Sequence, residues 1–413
     1  MPSPQSGRPD GAGATAQRFE RDTPTLLSYA VLGCFTFWLY AFGPAVTLLR
    51  DELGFSYSVL GLYEVFWSGG AALAGAVFAW AGRRLPREVL LWGSALATAI
   101  GAALFSLSSG VPATLLGAGA FGAAGTMLLA VIQAILSDRH GSRRDQALTE
   151  ANVGAGASAV LAPLILGALA ATAFTWRAAF ALPAVALLVL YLVFRRRPLP
   201  PRVDDHADGP AGRLPLACWL LVLLTAISSA IEFCLVYFGP QMLIDDGWTA
   251  AAAGTAMSSN LAGILVGRLI GAGLTRRPGR SIALLTASLT LALASVMLFW
   301  LVDQPAAALV ALFLTGVGIA NLYPLALALA LEAADGQEDR ANARSHLVLG
   351  VLVAAFPFLL GGLADHYGLT AGFALEPALI GLCFLLLWGG VRARRNAVPA
   401  PRPTGALGRS GRR

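Results

Sequence analysis

Glu232 stands in a run from Leu214 to about Ile244 that is otherwise almost wholly apolar. Thr225, Ser228 or Ser229, and Glu232 recur at three- and four-residue steps, so on a helix they share one face. A carboxyl on such a stripe can load and release a proton if the stripe meets water in a cavity. The bland alternative is a protonated glutamate that hydrogen-bonds a neighbouring helix and never titrates. Two further ionisable groups sit in equally apolar surroundings, Glu64 in GLYEVFWSGG and Arg268 in Val266-GRLIG.

The surroundings explain why these three stand out. The chain is 57% hydrophobic and only 13% charged, against roughly 25% charged in soluble domains. Its apolar residues form twelve runs, at about 27–49, 57–81, 88–108, 112–136, 147–171, 176–194, 215–240, 249–273, 281–302, 306–332, 344–364 and 370–391. Runs of about 18 or more such residues can cross the hydrocarbon core as helices. An all-α, multi-pass membrane protein is expected, in contact with the lipid bilayer. An ionisable group at the middle of such a helix costs about 2.5–3.5 kcal/mol, so it marks function more often than chance places it there.

Charge placement sets the expected topology. All 29 basic residues are arginine, and the net charge is +6. Only Arg50, Arg177 and Arg268 fall outside the tails and the alternate loops on the side of the termini. That is the positive-inside pattern of an inner-membrane protein with both termini cytoplasmic. It explains the basic balance without a nucleic-acid partner. The segment before the first run lacks the form of a cleavable signal, and that run reads as a retained span. Cys34, Cys218, Cys234 and Cys383 fall in spans and read as small buried hydrophobes, with no disulfide or metal spacing.

The chain is built twice. The stretch RRRPLPPRVDDHADGPAGR, Arg195 to Arg213, is Pro-rich and reads as a linker. The expected units are a tail (1–23), a six-helix bundle (24–195), a linker (196–214), a second six-helix bundle (215–393) and a tail (394–413). Phe42-Gly-Pro44 recurs as Phe238-Gly-Pro240, Ala162-PLILGALA-Ala170 as Phe356-PFLLGGLA-Ala364, and Ala179-FAL-Pro183 as Gly372-FALE-Pro377. The offsets drift only from 196 to 193. On the same frame Glu64 is the mate of Asn260, and Thr36 of Glu232. Such repeats place a substrate site near the membrane midplane, between halves that rock to give alternating access.

With its 6+6 layout, long middle loop and basic loops after spans two and eight, the chain resembles the major facilitator superfamily over nearly its whole length. The family's loop signature, Gly-x-x-x-Asp-Arg-x-Gly-Arg-Arg, is matched at Gly75, Gly82, Arg83 and Arg84, with Ala79 and Trp80 in place of Asp and Arg. The second copy keeps Gly271, Arg276, Gly279 and Arg280, with Thr275 for the Asp and one inserted residue. The resemblance implies a gating role for Gly82, Arg83, Arg84, Arg276, Gly279 and Arg280. The arginines fit equally well as headgroup anchors and topology signals. Gly318-IANLYP-Pro324 and the Ala-Asp-x-x-Gly of Ala364 to Gly368 are similar to the fucose and hexose permease branch.

Further candidates follow from residue type. Glu232 and Glu64 are the proton-coupling candidates, and Glu64 with Asn260 marks a pseudo-symmetric polar position between the halves. Span one offers Tyr29, Gly33, Thr36 and Tyr40. Thr126 and Gln133 lie seven apart in span four, and Asn321 precedes a Tyr323-Pro324 break that frees backbone groups for a ligand. Thr36, Tyr40, Thr126, Ser229, Glu232, Asn260, Asn321 and Tyr323 form the candidate substrate set. Arg268 lies toward the cytoplasmic end of span eight, where it can reach the inner surface; binding a substrate anion is its alternative role. Gly117-AGAFG-Gly122 and Gly154-AG-Gly156 read as close helix packing rather than a dinucleotide turn. His140, His206 and His366 read as loop residues, and His346 as a lesser gate or relay.

No enzyme constellation stands out, and the absence of lysine argues against a P-loop. A monomeric secondary transporter of a small molecule is expected, coupled to protons and needing no cofactor beyond the proton gradient. Symport of a neutral, sugar-like compound leads, because an acidic cavity without a deep arginine disfavours an anion. A drug/proton antiporter is the rival within the class, with Trp38, Phe42, Phe66 and Trp67 as its aromatic lining. A receptor or scaffold that binds without translocating is the rival from another class.

Overall fold

The structure is a computed structural model that describes residues 19–200, 213–274 and 280–397. Among these residues all regular structure is helical: α1 (Thr23–Leu53), α2 (Tyr57–Arg84), α3 (Arg87–Leu107), α4 (Val111–His140), α5 (Arg144–Ala170), α6 (Arg177–Phe194) and α7 (Leu216–Asp245), then α8 (Ala250–Leu274), α9 (Ser281–Leu301), α10 (Pro305–Ile319), α11 (Leu322–Glu332), α12 (Glu338–Tyr367), α13 (Leu369–Gly372) and α14 (Leu375–Ala397). Twelve spans result, because α10 with α11, and α13 with α14, each make one crossing. The break before α11 falls at Ala320–Asn321, one step ahead of the Tyr-Pro pair.

Local chemistry places the helix ends. The Asp22 carboxylate accepts from the Thr25 backbone N–H at 3.2 Å, and Pro24 supplies a preset first turn. Burial alone would raise the Asp22 carboxyl, but hydrogen bonds from Thr25 and the Arg139 guanidinium hold it below its ordinary value. Gly54 ends α1 in the left-handed region (φ 65°). His140 is not a loop residue: it closes α4, is buried and shares a 2.8 Å hydrogen bond with Thr25.

The repeat is visible in three dimensions. Pro44 and Pro240 lie inside α1 and α7, and Pro163 and Pro357 inside α5 and α12, at the repeat offsets. Each proline removes a helix hydrogen bond, which a membrane bundle tolerates when neighbours satisfy the freed group. The first six helices and the remainder form two bundles that meet along α2–α12 and α5–α8, with α1 against α7 and α8. Moving six spans along the chain exchanges the first two contacts, so the seams are symmetry mates.

Alternation of the twelve spans puts the start of α1, the end of α6, the start of α7 and the end of α14 on one membrane face, here the terminal face; the other is the far face. Glycines seal the seams toward the far face. A Cβ on Gly361 would collide with the backbone of Tyr57 and Ser58, and one on its mate Gly167 with Thr255 and the Ala251 carbonyl. Toward the terminal face, a Cβ on Gly75, Gly154 or Gly350 would meet nothing within 4 Å. Gly154 therefore departs from the close packing expected of it. Gly117 and Gly122 do press on the backbones of α3 and α2.

Polar groups lock the same end. Asp365 of α12 accepts from the Tyr57 and Ser58 backbone N–H groups at 2.8 Å each, capping α2 from the opposite half. An anion there meets both unpaired N–H groups and the positive end of the helix dipole. Arg50 donates to Gln241 at 2.9 Å and lies 3.9 Å over the Tyr57 ring. Far-face closure thus rests on α1, α2, α7 and α12 together.

Gly361→Val should wedge α12 away from α2, since overpacking costs about 1–3 kcal/mol. A cysteine placed at Val236, buried where α1 meets α7, should then react with a membrane-impermeant thiol reagent about fivefold faster or more. An unchanged rate would mean that the seam does not close this face.

Candidate functional site

The polar stripe of α7 is divided by its own helix. The Thr225 and Ser228 hydroxyls donate to the Leu221 and Leu224 carbonyls at 2.8 and 2.7 Å, and both side chains are buried. Neither faces a wet cavity, contrary to the expectation for that face. Ser229 is 9% exposed, and only Glu232 is appreciably open.

Glu232 points across the seam between halves. Its Oε1 accepts from the Tyr40 hydroxyl of α1 at 3.4 Å. The Arg268 guanidinium of α8 acts electrostatically on both groups, and its side chain is exposed. Arg268 is therefore part of the Glu232 site rather than only an anchor at the membrane surface. Counting from the α7–α8 turn explains this: Glu232 lies 13 residues before Asp245, and Arg268 lies 18 after Ala250. The antiparallel helices bring the two to neighbouring depths, and the long arginine side chain spans the rest.

A second Glu–Tyr pair crosses the seam in the reverse sense. Tyr237 of α7 donates to Glu64 Oε2 at 2.9 Å, and Ser68 donates to Glu64 Oε1 at 2.7 Å. Glu64 is 2% exposed. In one pair the N-terminal half supplies the phenol and in the other the carboxyl. Cys234, one turn along α7, feels both Glu64 and Glu376.

The remaining candidates are placed as follows. Asn260 is fully buried and donates to the Leu312 carbonyl of α10 at 3.1 Å, within its own half. Asn321 donates to the Gly267 carbonyl of α8 at 2.8 Å, bracing the break between α10 and α11. Thr36 is buried, while Thr126 and Tyr323 are half-buried. Tyr29 donates to Glu150, which a pair of hydrogen bonds ties to Arg21. Trp38, Phe42 and Trp67 pack with Phe105 and Phe121 into the core of the first bundle and line no opening.

At the terminal face Arg83 and Arg84 are exposed, and Arg84 lies 5.1 Å over Trp80. Arg87 pairs with Asp138, anchoring this loop to α4. Arg280 is exposed, while Arg276 and Gly279 lie outside the described residues.

One buried carboxyl escaped the sequence reading altogether. Glu376, within the run 370–391, is 0% exposed, and neither carboxyl oxygen has a hydrogen-bond partner. A signal was there: Glu376 is the residue that GFALEP has beyond its mate AFALP.

A family model described as the Major Facilitator Superfamily matches residues 26–338 and 221–411. No curated protein matches the chain by sequence. Among solved structures, it is similar to a bacterial homolog of the human lysosomal transporter Spinster in an inward-facing and occupied conformation. That likeness has a TM-score of 0.74 at 14% identity, over 90% of this chain and 96% of that one. A peptide transporter (TM-score 0.72, 15% identity, 90% and 95% coverage) and a D-xylose–proton symporter (0.70, 15%, 88% and 96%) share the architecture as well.

The two Glu–Tyr pairs should differ in strength. Tyr237→Phe strips a buried carboxyl of a short bond, so it should destabilise the folded protein by about 1–3 kcal/mol. Adding Glu64→Gln should recover part of that loss. Tyr40→Phe, which removes only a 3.4 Å contact to a half-buried group, should leave the melting temperature nearly unchanged. Thermal melting in detergent checks the ordering, and equal losses would contradict it.

Proposed function

The chain belongs to the major facilitator superfamily, and we propose that it moves a small organic solute by proton-coupled alternating access. Its place is a membrane as a multi-pass transporter, not an enzyme. We read the terminal face as cytoplasmic from the arginine distribution. On that reading the structure is the inward-open state, sealed outside by Asp365, Arg50 and the seam glycines.

The observation that carries the proposal is the Tyr40–Glu232 hydrogen bond where the two halves join, with Arg268 near enough to act electrostatically on both groups. An ionised Glu232 occupies Arg268. A proton on Glu232 removes that competition, and Arg268 becomes free to take an anionic group. Loss of the proton restores the internal pair and expels the solute. Proton and solute thus travel together, and no other cofactor is called for.

The same guanidinium changes the substrate expected. A neutral sugar suits a cavity without a deep cation, whereas Arg268 supplies one beside Glu232. A small carboxylate or zwitterion fits better, with Tyr40, Thr36 and Ser229 near enough to orient it. The lipophilic-cation reading loses most of its aromatic lining, because Trp38, Phe42 and Trp67 form the core of the first bundle and only Phe66 stays half-buried. It also meets a positive charge beside its carboxylate.

Proteoliposomes loaded for uptake and for exchange separate coupling from binding. With a panel of carboxylates, zwitterions, polyols and organic cations, wild type should accumulate an anionic or zwitterionic solute under an inward proton gradient. Glu232→Gln should lose that accumulation, at least tenfold, yet keep solute exchange. Accumulation by Glu232→Gln at the wild-type level, or uptake of cations alone, would refute the assignment.

A further inference from the structure

We propose that Glu376 is a second proton-binding carboxyl, exchanging with the far-face water and separate from Glu232. This rests on the transport reading above only for its role in coupling. The proton site itself stands on the geometry.

Glu376 lies in the first turn of α14, a helix that begins at the far face. Acids at this position ordinarily accept from the free N–H groups of their own helix. Glu376 does not, for its side chain is fully buried and both oxygens lack partners. An ionised carboxylate in that setting would carry the whole desolvation penalty without one donor. Glu376 is therefore held as the neutral acid in this closed-far-face state.

Its neighbours do not supply a counter-charge. From α7 the titratable neighbour is Cys234, which also feels Glu64 from α2. α9 carries no ionisable residue between Ser281 and Leu301. From α12, Asp365 is committed to the α2 N-terminus, and the exposed His366 and Tyr367 stack edge-on to each other at 4.6 Å. No cation among these neighbours would keep Glu376 charged.

The acids lie at two depths from the far face. Glu376 and Glu64 lie about two turns into their crossings, which start at Leu369 and Tyr57, and Glu232 lies deeper on the cavity side of α7. Glu376 and Glu64 both act electrostatically on Cys234 of α7, on the helix that Pro240 interrupts less than two turns further on. When the far-face seam parts and this part of α7 shifts, water reaches Glu376 and the proton can leave or return. Closure dries the site and traps the proton.

Infrared spectroscopy on reconstituted protein tests the site, and proton-to-solute ratios test its coupling. The carbonyl stretch of a neutral carboxyl should persist at alkaline pH in wild type and in Glu232→Gln, and disappear in Glu376→Gln. The ratio measured from reversal of uptake against a proton gradient should fall by one proton per solute in Glu376→Gln, with exchange intact. If Glu376→Gln fails to fold, Glu376→Asp should keep the band and shift its titration. A band unchanged in Glu376→Gln would overturn the proton site, and a band lost with the ratio intact would overturn its part in coupling. Should wild type show no proton coupling at all, the transport reading falls and the infrared band alone decides Glu376.

Discussion

A carboxyl inside a membrane bundle must find a partner, water or a proton, and the chain's architecture follows from how it meets that demand. Two unit charges 4 Å apart attract by about 1 kcal/mol in water but about 4 kcal/mol at the effective dielectric near a protein surface. Glu232 and Glu64 each have one partner in the opposite bundle, Tyr40 and Tyr237, beside Arg268 and Ser68 on their own side. Part of what makes these acids tolerable therefore crosses the seam between the halves. Any change in protonation of either acid alters the contact across the seam.

The far-face closure has the same character. Asp365 satisfies two N–H groups that α2 cannot pair for itself, and small residues let the backbones of α2 and α12 approach. The glycine contacts have mates through the repeat, Gly361 on one seam and Gly167 on the other, whereas the Asp365 cap belongs to the α2–α12 seam alone. Closure held by a few such contacts is worth a few kcal/mol, within reach of one proton or one bound solute.

Much of the fold was legible because hydrocarbon dictates long apolar helices, and the duplicated Phe-Gly-Pro and Pro-x-x-x-Gly pieces marked matched packing sites. Glu232 and Glu64 were legible because a carboxyl in an apolar run has few innocent explanations. What periodicity does not carry is the identity of the neighbour. It puts Thr225 and Ser228 on the face of Glu232, yet their hydroxyls satisfy their own helix carbonyls. It pairs Asn260 with Glu64, yet Asn260 reaches for α10 within its bundle. Arg268 became part of the site only once the depths of α7 and α8 could be compared. Glu376 was hidden by its place near a span end, where an acid is easily taken for a helix-terminal residue.

The central claim, that the proton on Glu232 governs its contact across the seam and so the coupling of proton to solute, is tested most directly by distances between the halves. Spin labels at Ala171, beyond α5, and Thr249, before α8, are exposed and report on far-face separation. In wild type, acidification should raise the long-distance population, as protonation removes the charge that draws Tyr40 and Arg268 to Glu232. In Glu232→Gln that population should be present at both neutral and acid pH. A Glu232→Gln protein whose distances follow pH as the wild type does would contradict the account.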